Sequence, residues 1–152
     1  MKERKSLRVF DLTTEQYIYN VDSLFLQFGL KDRVEDLIID SEKRYWFLTP
    51  GSSVYTYDTE TKSAELVCRN DEFMEYYGGL LGIESHGNYS WMVHQKGAIR
   101  CYDWEKKRFI QELDFLKGQL KPDDRVLLRI LDNGDFWLMW DRGIGYLSLI
   151  HI

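Results

Sequence analysis

Arg33-Val-Glu-Asp-Leu-Ile-Ile-Asp-Ser-Glu-Lys-Arg-Tyr-Trp46-Phe-Leu-Thr-Pro-Gly51 is answered further along the chain by two parallel phrases. They are Gly79-Leu-Leu-Gly-Ile-Glu-Ser-His-Gly-Asn-Tyr-Ser-Trp91-Met-Val-His-Gln-Lys-Gly97 and Arg125-Val-Leu-Leu-Arg-Ile-Leu-Asp-Asn-Gly-Asp-Phe-Trp137-Leu-Met-Trp-Asp-Arg-Gly143. Trp46, Trp91 and Trp137 stand 45 and 46 residues apart. A second marker keeps the same phase: Asp11, Asp58 and Asp103, each closing an apolar-aromatic run, are spaced by 47 and 45 residues. Short β-type runs repeating at this period predict the blades of a β-propeller, small sheets too thin to bury their own faces.

Each copy has the same physical logic. A mainly apolar run (Val34 to Ile39, Leu80 to Ile83, Val126 to Leu131) suits an inner strand packed on both faces. A polar turn follows, with Asn133-Gly134 a strong hairpin signal. The strand bearing the tryptophan supplies a ring to fill the space between neighbouring blades. Gly51, Gly97 and Gly143 mark the next hairpin, where a positive φ is expected. The third strand ends in Asp11, Asp58 or Asp103, whose side chain can cap the following turn, and a more polar fourth strand (Ser63 to Val67, Arg108 to Leu113) forms the outer edge. The expected organisation is an incomplete all-β propeller over 1–149: a remnant at 1–20, then blades at 33–68, 79–114 and 125–149.

Both termini look like cuts in a longer protein. Residues 1–17 read as the end of a blade whose start is missing. Leu147-Ser-Leu-Ile-His-Ile152 resembles the translation of a transposase end sequence used as a sequencing adapter, so 150–152 are set aside; an ordinary third strand is the alternative reading.

The 152 residues are 44% hydrophobic and 15% aromatic with two prolines, a globular and β-rich composition. A formal charge of −5 with scattered lysines and arginines argues against nucleic acid as a partner. No apolar stretch approaches bilayer length, so no membrane contact is expected from this segment.

The phrases resemble the two-component regulator propeller repeat: apolar run, Asp, polar turn, Trp with apolar neighbours, Thr-x-Gly turn, apolar-Tyr-Asp ending. Asp40, Trp46, Thr49, Gly51, Tyr57 and Asp58 carry the match in the first copy, and Gly29-Leu30-Lys31-Asp32-Arg33-Val34 resembles the repeat's Gly-Leu-x-x-x-Val lead-in. The second copy departs with Ser85 and His94-Gln95, the third with Trp140. The resemblance implies the periplasmic sensor of a membrane-bound, dimeric histidine kinase of the hybrid kind found in Bacteroidetes, and an oligosaccharide as its signal. Its implied partners are the remaining blades of the parent propeller.

Chemistry is sparse. His86, His94 and His151 lack metal-ligand spacing, Cys68 and Cys101 form no Cys-x-x-Cys, and Tyr77-Gly-Gly-Leu-Leu-Gly82 lacks the Lys-Ser/Thr of a phosphate loop, so neither metal nor cofactor is expected. Acids are plentiful (Glu35, Asp36, Glu72, Glu75, Asp123, Asp124), which keeps a sugar lyase or hydrolase as an alternative. Asp123-Asp124 after Pro122 reads as a solvated loop. A cytoplasmic interaction propeller assembling with other copies is a further alternative. Trp104 and Trp140 fall outside the period and are therefore the tryptophans most apt for a ligand. Propeller sites usually lie on loops joining the second to the third strand and one blade to the next. Those loops select His94, Gln95, Lys96, Arg33, Arg125, Trp140 and Arg142, with Arg125 and Arg142 able to fork onto an acidic sugar. Hydrogen bonds between blades are the competing role for each arginine.

Overall fold

The computed structural model describes residues 9–18, 34, 36–49, 53–58, 60–61, 63–69 and 75–148. Gly51 and Arg33 lie outside them. The described residues contain thirteen strands and no helix. All pairing is antiparallel between chain neighbours, the up-and-down order of propeller blades. They fall into two compact units, one drawn from 1–39 and 44–70, the other from 40–43 and 71–152.

The first unit holds a two-stranded sheet, β1 (Val9–Asp11) and β2 (Gln16–Ile18), and a four-stranded sheet in chain order. Its strands are β3 (Asp36–Ile39), β4 (Tyr45–Leu48), β5 (Val54–Asp58) and β6 (Ser63–Cys68). Trp46 on β4 is fully buried. Val34 and Phe47 form a small core with Leu37, Tyr55, Tyr57 and Ala64 packed on it.

The second unit holds a four-stranded sheet, β7 (Leu80–His86), β8 (Tyr89–His94), β9 (Ile99–Asp103) and β10 (Arg108–Leu113). A three-stranded sheet follows: β11 (Val126–Ile130), β12 (Phe136–Trp140) and β13 (Gly143–Leu147). Their facing surfaces make the main core, in which Trp91, Val93, Ile99 and Cys101 meet Leu128, Phe136 and Leu138, with Leu116 from the connecting segment fully buried among them. The Trp91 and Phe136 rings lie 5.3 Å apart, so this tryptophan is the expected wedge between blades. Trp137, at the same place in the next copy, is 41% exposed. The apolar run of β11 is correspondingly one-sided: Leu128 is buried while Leu127 and Arg129 are exposed, so this strand is not packed on both faces as its composition suggested.

Turn chemistry repeats with the strands. Asp11 accepts from the backbone N–H of Thr13 and Thr14, Asp58 from Glu60 and Thr61, and Asp103 from Glu105 and Lys106. The turn then closes on a residue at positive φ four places on, Glu15 or Lys107. These backbone donors hold all three carboxyls below their ordinary range. Gly97 has φ +90°, as expected for its hairpin. Gly143 does not have a positive φ, and the expectation fails there for a steric reason. A Cβ at this position would stand 2.4 Å from Cζ2 of Trp140, so glycine makes room for the ring.

Candidate functional site

Strand alternation sorts the loops of the second unit onto two ends. One end carries the β7–β8, β9–β10 and β11–β12 turns. The other carries the β8–β9 turn, the β12–β13 turn and the 114–125 connection, which are the loops expected to meet a ligand.

At that second end the connection is clamped rather than loose. It passes so close over the β8–β9 turn that a Cβ on Gly97 would lie 2.4 Å from the Leu116 carbonyl oxygen. Arg142 donates through Nη2 to Asp124 Oδ2 at 2.7 Å and to the Gln119 carbonyl at 2.8 Å. Asp124 also accepts from the Lys121 N–H at 2.8 Å, and the Arg142 hydrogen bond, followed by that of Lys121, holds its carboxyl below the ordinary value. Asp124 is therefore buried and structural, not part of a solvated loop; its neighbour Asp123 is exposed. The Arg125 N–H points to Asp141 at 3.5 Å.

The other expected ligand residues are placed as follows. His94 is fully buried with its ring 5.2 Å from Tyr77, and burial, reinforced by Arg100, lowers its pKa to about 3. Lys96 is exposed and donates from Nζ to the Glu75 carbonyl, while Gln95 accepts from the Gly79 N–H. Trp140 is half-buried, with its six-membered ring over Gly143 and Gly145. Phe115, 38% exposed, borders Gly145. This end thus carries a half-buried indole that lies over Gly143 and Gly145 and packs on the core, with the exposed Arg125 and Lys96 on its loops. Trp104 is elsewhere: its Nε1 donates to Ser90 Oγ at 2.8 Å beside the other end.

A buried polar network was not legible in the sequence. Glu84, 4% exposed, accepts from the Ser41 N–H at 2.9 Å through one oxygen and from Arg129 Nη1 at 3.2 Å through the other. Ser85 donates to Asp40, and its hydroxyl pairs with that of Ser90 at 2.5 Å. Tyr146 donates to Asp135 at 2.5 Å. The one signal available was the off-pattern polarity of Glu84 and Ser85 in an apolar run.

At the first end a cleft of about 400 Å3 opens between the two sheets of this unit, walled by Tyr89, Trp91, Ile110 and Ile130, with His86 and Gln111 as polar groups. Cys101 lines its floor, and burial pushes its thiol up to about 12, which leaves it protonated and unreactive at neutral pH. Cys68 and Cys101 are both free. Among the described residues no group of three or more His, Cys, Asp or Glu could hold a metal ion, and no helix is long and apolar enough to cross a membrane.

No family model and no curated protein matches the chain by sequence. Solved structures do match by fold. The extracellular domain of BT3049 from B. thetaiotaomicron, described as a hybrid two component system, superposes with a TM-score of 0.59 at 12% identity, over 97% of this chain and 18% of that one. The extracellular domain of BT4673 from the same organism, described as a one component system, gives 0.56 at 12% identity over 81% of this chain and 16% of that one. The WD40 domain of SCAP from fission yeast gives 0.57 at 14% identity, covering 76% and 30%. The chain therefore spans less than a fifth of the length of either B. thetaiotaomicron domain, and what these likenesses carry is the fold: the chain is built of β-propeller blades.

Proposed function

We propose that this chain is a segment of an extracytoplasmic, ligand-sensing β-propeller belonging to a two-component sensor kinase, non-catalytic in itself, whose ligand is an oligosaccharide. The repeat phrase ending in Tyr57-Asp58 and the fold likeness to two extracellular domains of B. thetaiotaomicron signalling systems support the sensor class. The observation that carries the binding reading is Trp140. It is the departure from the repeat at its position, and Gly143 and Gly145 hold its ring among the loops of one end. A preorganised indole costs little ordering on binding and offers an apolar face to the C–H side of a pyranose. Arg125, exposed at the same end, would favour an acidic sugar, whereas Arg142 is already committed to Asp124. Asp124 is unsuited to the acid or nucleophile role of the hydrolase alternative. A general acid or a nucleophile must be free to meet substrate, and Asp124 is locked to Arg142.

The test is calorimetric titration of the complete receptor with neutral and uronic-acid oligosaccharides. Trp140→Ala is expected to abolish binding, and Arg125→Ala to weaken only acidic ligands. Saccharide affinity unchanged in Trp140→Ala would sink the assignment of this end. Recovery of the receptor from the cytoplasm after cell fractionation would sink the extracytoplasmic reading and favour an interaction propeller.

A further inference from the structure

Register, not sequence spacing alone, identifies which residues of the last described sheet correspond to the core of the sheet before it. In β8 and β9 the cross-strand pairs are Trp91 with Cys101 and Val93 with Ile99, all 4% exposed or less. In β12 and β13 the same two pairs are Trp137 with Tyr146 and Met139 with Ile144, and these four are 41 to 61% exposed. The first four are covered by the Leu128, Phe136 and Leu138 face of the following sheet. The second four form a continuous apolar surface. Tyr146 is pinned across it by its hydrogen bond to Asp135, with its ring 4.9 Å from that of Trp137. Contiguous exposed apolar surface of this kind marks an interaction site.

On the propeller reading proposed above, the Trp137 face meets one further sheet of this repeat kind, and we infer that this sheet presents smaller side chains than those covering Trp91. The occupant follows from continuity with the interface one period earlier, where an equivalent face is matched by a repeat sheet together with Leu116 of the segment that leads into it. Its size follows from volume. Met139 replaces Val93 and Tyr146 replaces Cys101, so at an equal sheet spacing the space left for the partner shrinks by several methylene equivalents. Interiors are close-packed, and overfilling forces strained rotamers or separation. A partner bearing Val or Ala in place of Phe136 and Leu138 fits; an identical copy of β11–β13 is overpacked. The inference is independent of any ligand at the Trp140 end.

Two extended proteins test it, each the full chain through Ser148 followed by a second copy of residues 114–148. One carries the copy unchanged; the other carries Phe136→Val and Leu138→Ala in the copy alone. Accessibility of Trp137 is read by acrylamide quenching, taken as the difference between each protein and its Trp137→Phe counterpart. The reduced copy is expected to cut the quenching of Trp137 at least about threefold relative to the original chain, and the unchanged copy to cut it less. If neither copy shields Trp137, the docking surface is overturned. If the unchanged copy shields it as well as or better than the reduced one, the size rule is overturned.

Discussion

Acidification from pH 7 to pH 5 should cost this chain about 2 kcal/mol of stability through one residue. His94 is 0% exposed, and burial first, Arg100 second, lowers its pKa from 6.5 to about 3. Folded protein therefore keeps the ring neutral throughout this window, while the unfolded chain takes up a proton as pH falls through its ordinary value. The unfolded state binds more protons, so stability that is fully present above pH 6.5 is progressively lost toward pH 3. Between pH 7 and pH 5 only the unfolded form titrates, which fixes the loss near 2 kcal/mol, a large share of the roughly 5–15 kcal/mol typical of domains. Urea unfolding followed by tryptophan fluorescence at pH 7, 6 and 5 measures it. His94→Gln removes the titration but not the side chain's bulk, so its loss over the same interval should be smaller by about 2 kcal/mol, whatever its absolute stability. Equal losses in the two proteins, or a His94 imidazole titrating near 6.5 by NMR in the folded state, would refute the placement of this ring.

Three further outcomes follow from the packing and the turns. Trp91→Ala should cost about 3–5 kcal/mol in urea unfolding because its ring is enclosed by the next sheet, whereas Trp137→Ala in the same chain should cost about 1 kcal/mol or less; similar penalties would contradict the difference in their burial. Gly143→Ala should lower the melting temperature, by roughly 1–3 kcal/mol of stability, since the added methyl meets the Trp140 ring. Asp103→Asn should keep the turn, because an amide oxygen still accepts from Glu105 and Lys106, but flatten the acid limb of stability. The wild-type carboxyl, held low chiefly by the Lys106 N–H, contributes above its ordinary 3.8 and loses that contribution as pH falls below it. An unchanged acid limb would show that this turn does not feel the charge.

The fold was legible because its markers are local and periodic. Indoles at one phase and Asx-capped turns at another survive without any knowledge of long-range contacts, and the polarity of Ser63–Cys68 and Arg108–Leu113 already declared the outer strands. The candidate site was legible only in part. Loop position placed Lys96, Arg125, Trp140 and Arg142 at one common end of the sheets, but it could not reveal that His94 sits beneath Tyr77 or that Arg142 braces the 114–125 connection through Asp124. The first depends on the 75–79 segment running along the β8–β9 turn, where the Lys96 N–H donates to the Tyr77 carbonyl, and the second on the 114–125 connection, whose Leu116 fills a hole between two sheets. Glu84 illustrates the same limit. A lone acid in an apolar run reads as a surface intrusion until its two oxygens are seen to serve a turn on one side and Arg129 on the other.

The three periodic tryptophans separate what a residue brings from what its surroundings supply. Trp46 and Trp91 are buried and Trp137 is 41% exposed, although all three occupy one position of one phrase. Intrinsic preference is therefore constant along the series, and the variable is the covering surface. In such an array stability resides in interfaces between successive modules as much as within them, so a perturbation at one interface alters the cohesion of both sheets that share it. The 114–125 connection crosses one of these interfaces and is fastened at its far end by Arg142, two residues on from Trp140. A ligand seated on Trp140 would therefore press on the clamp that holds Leu116 between the sheets.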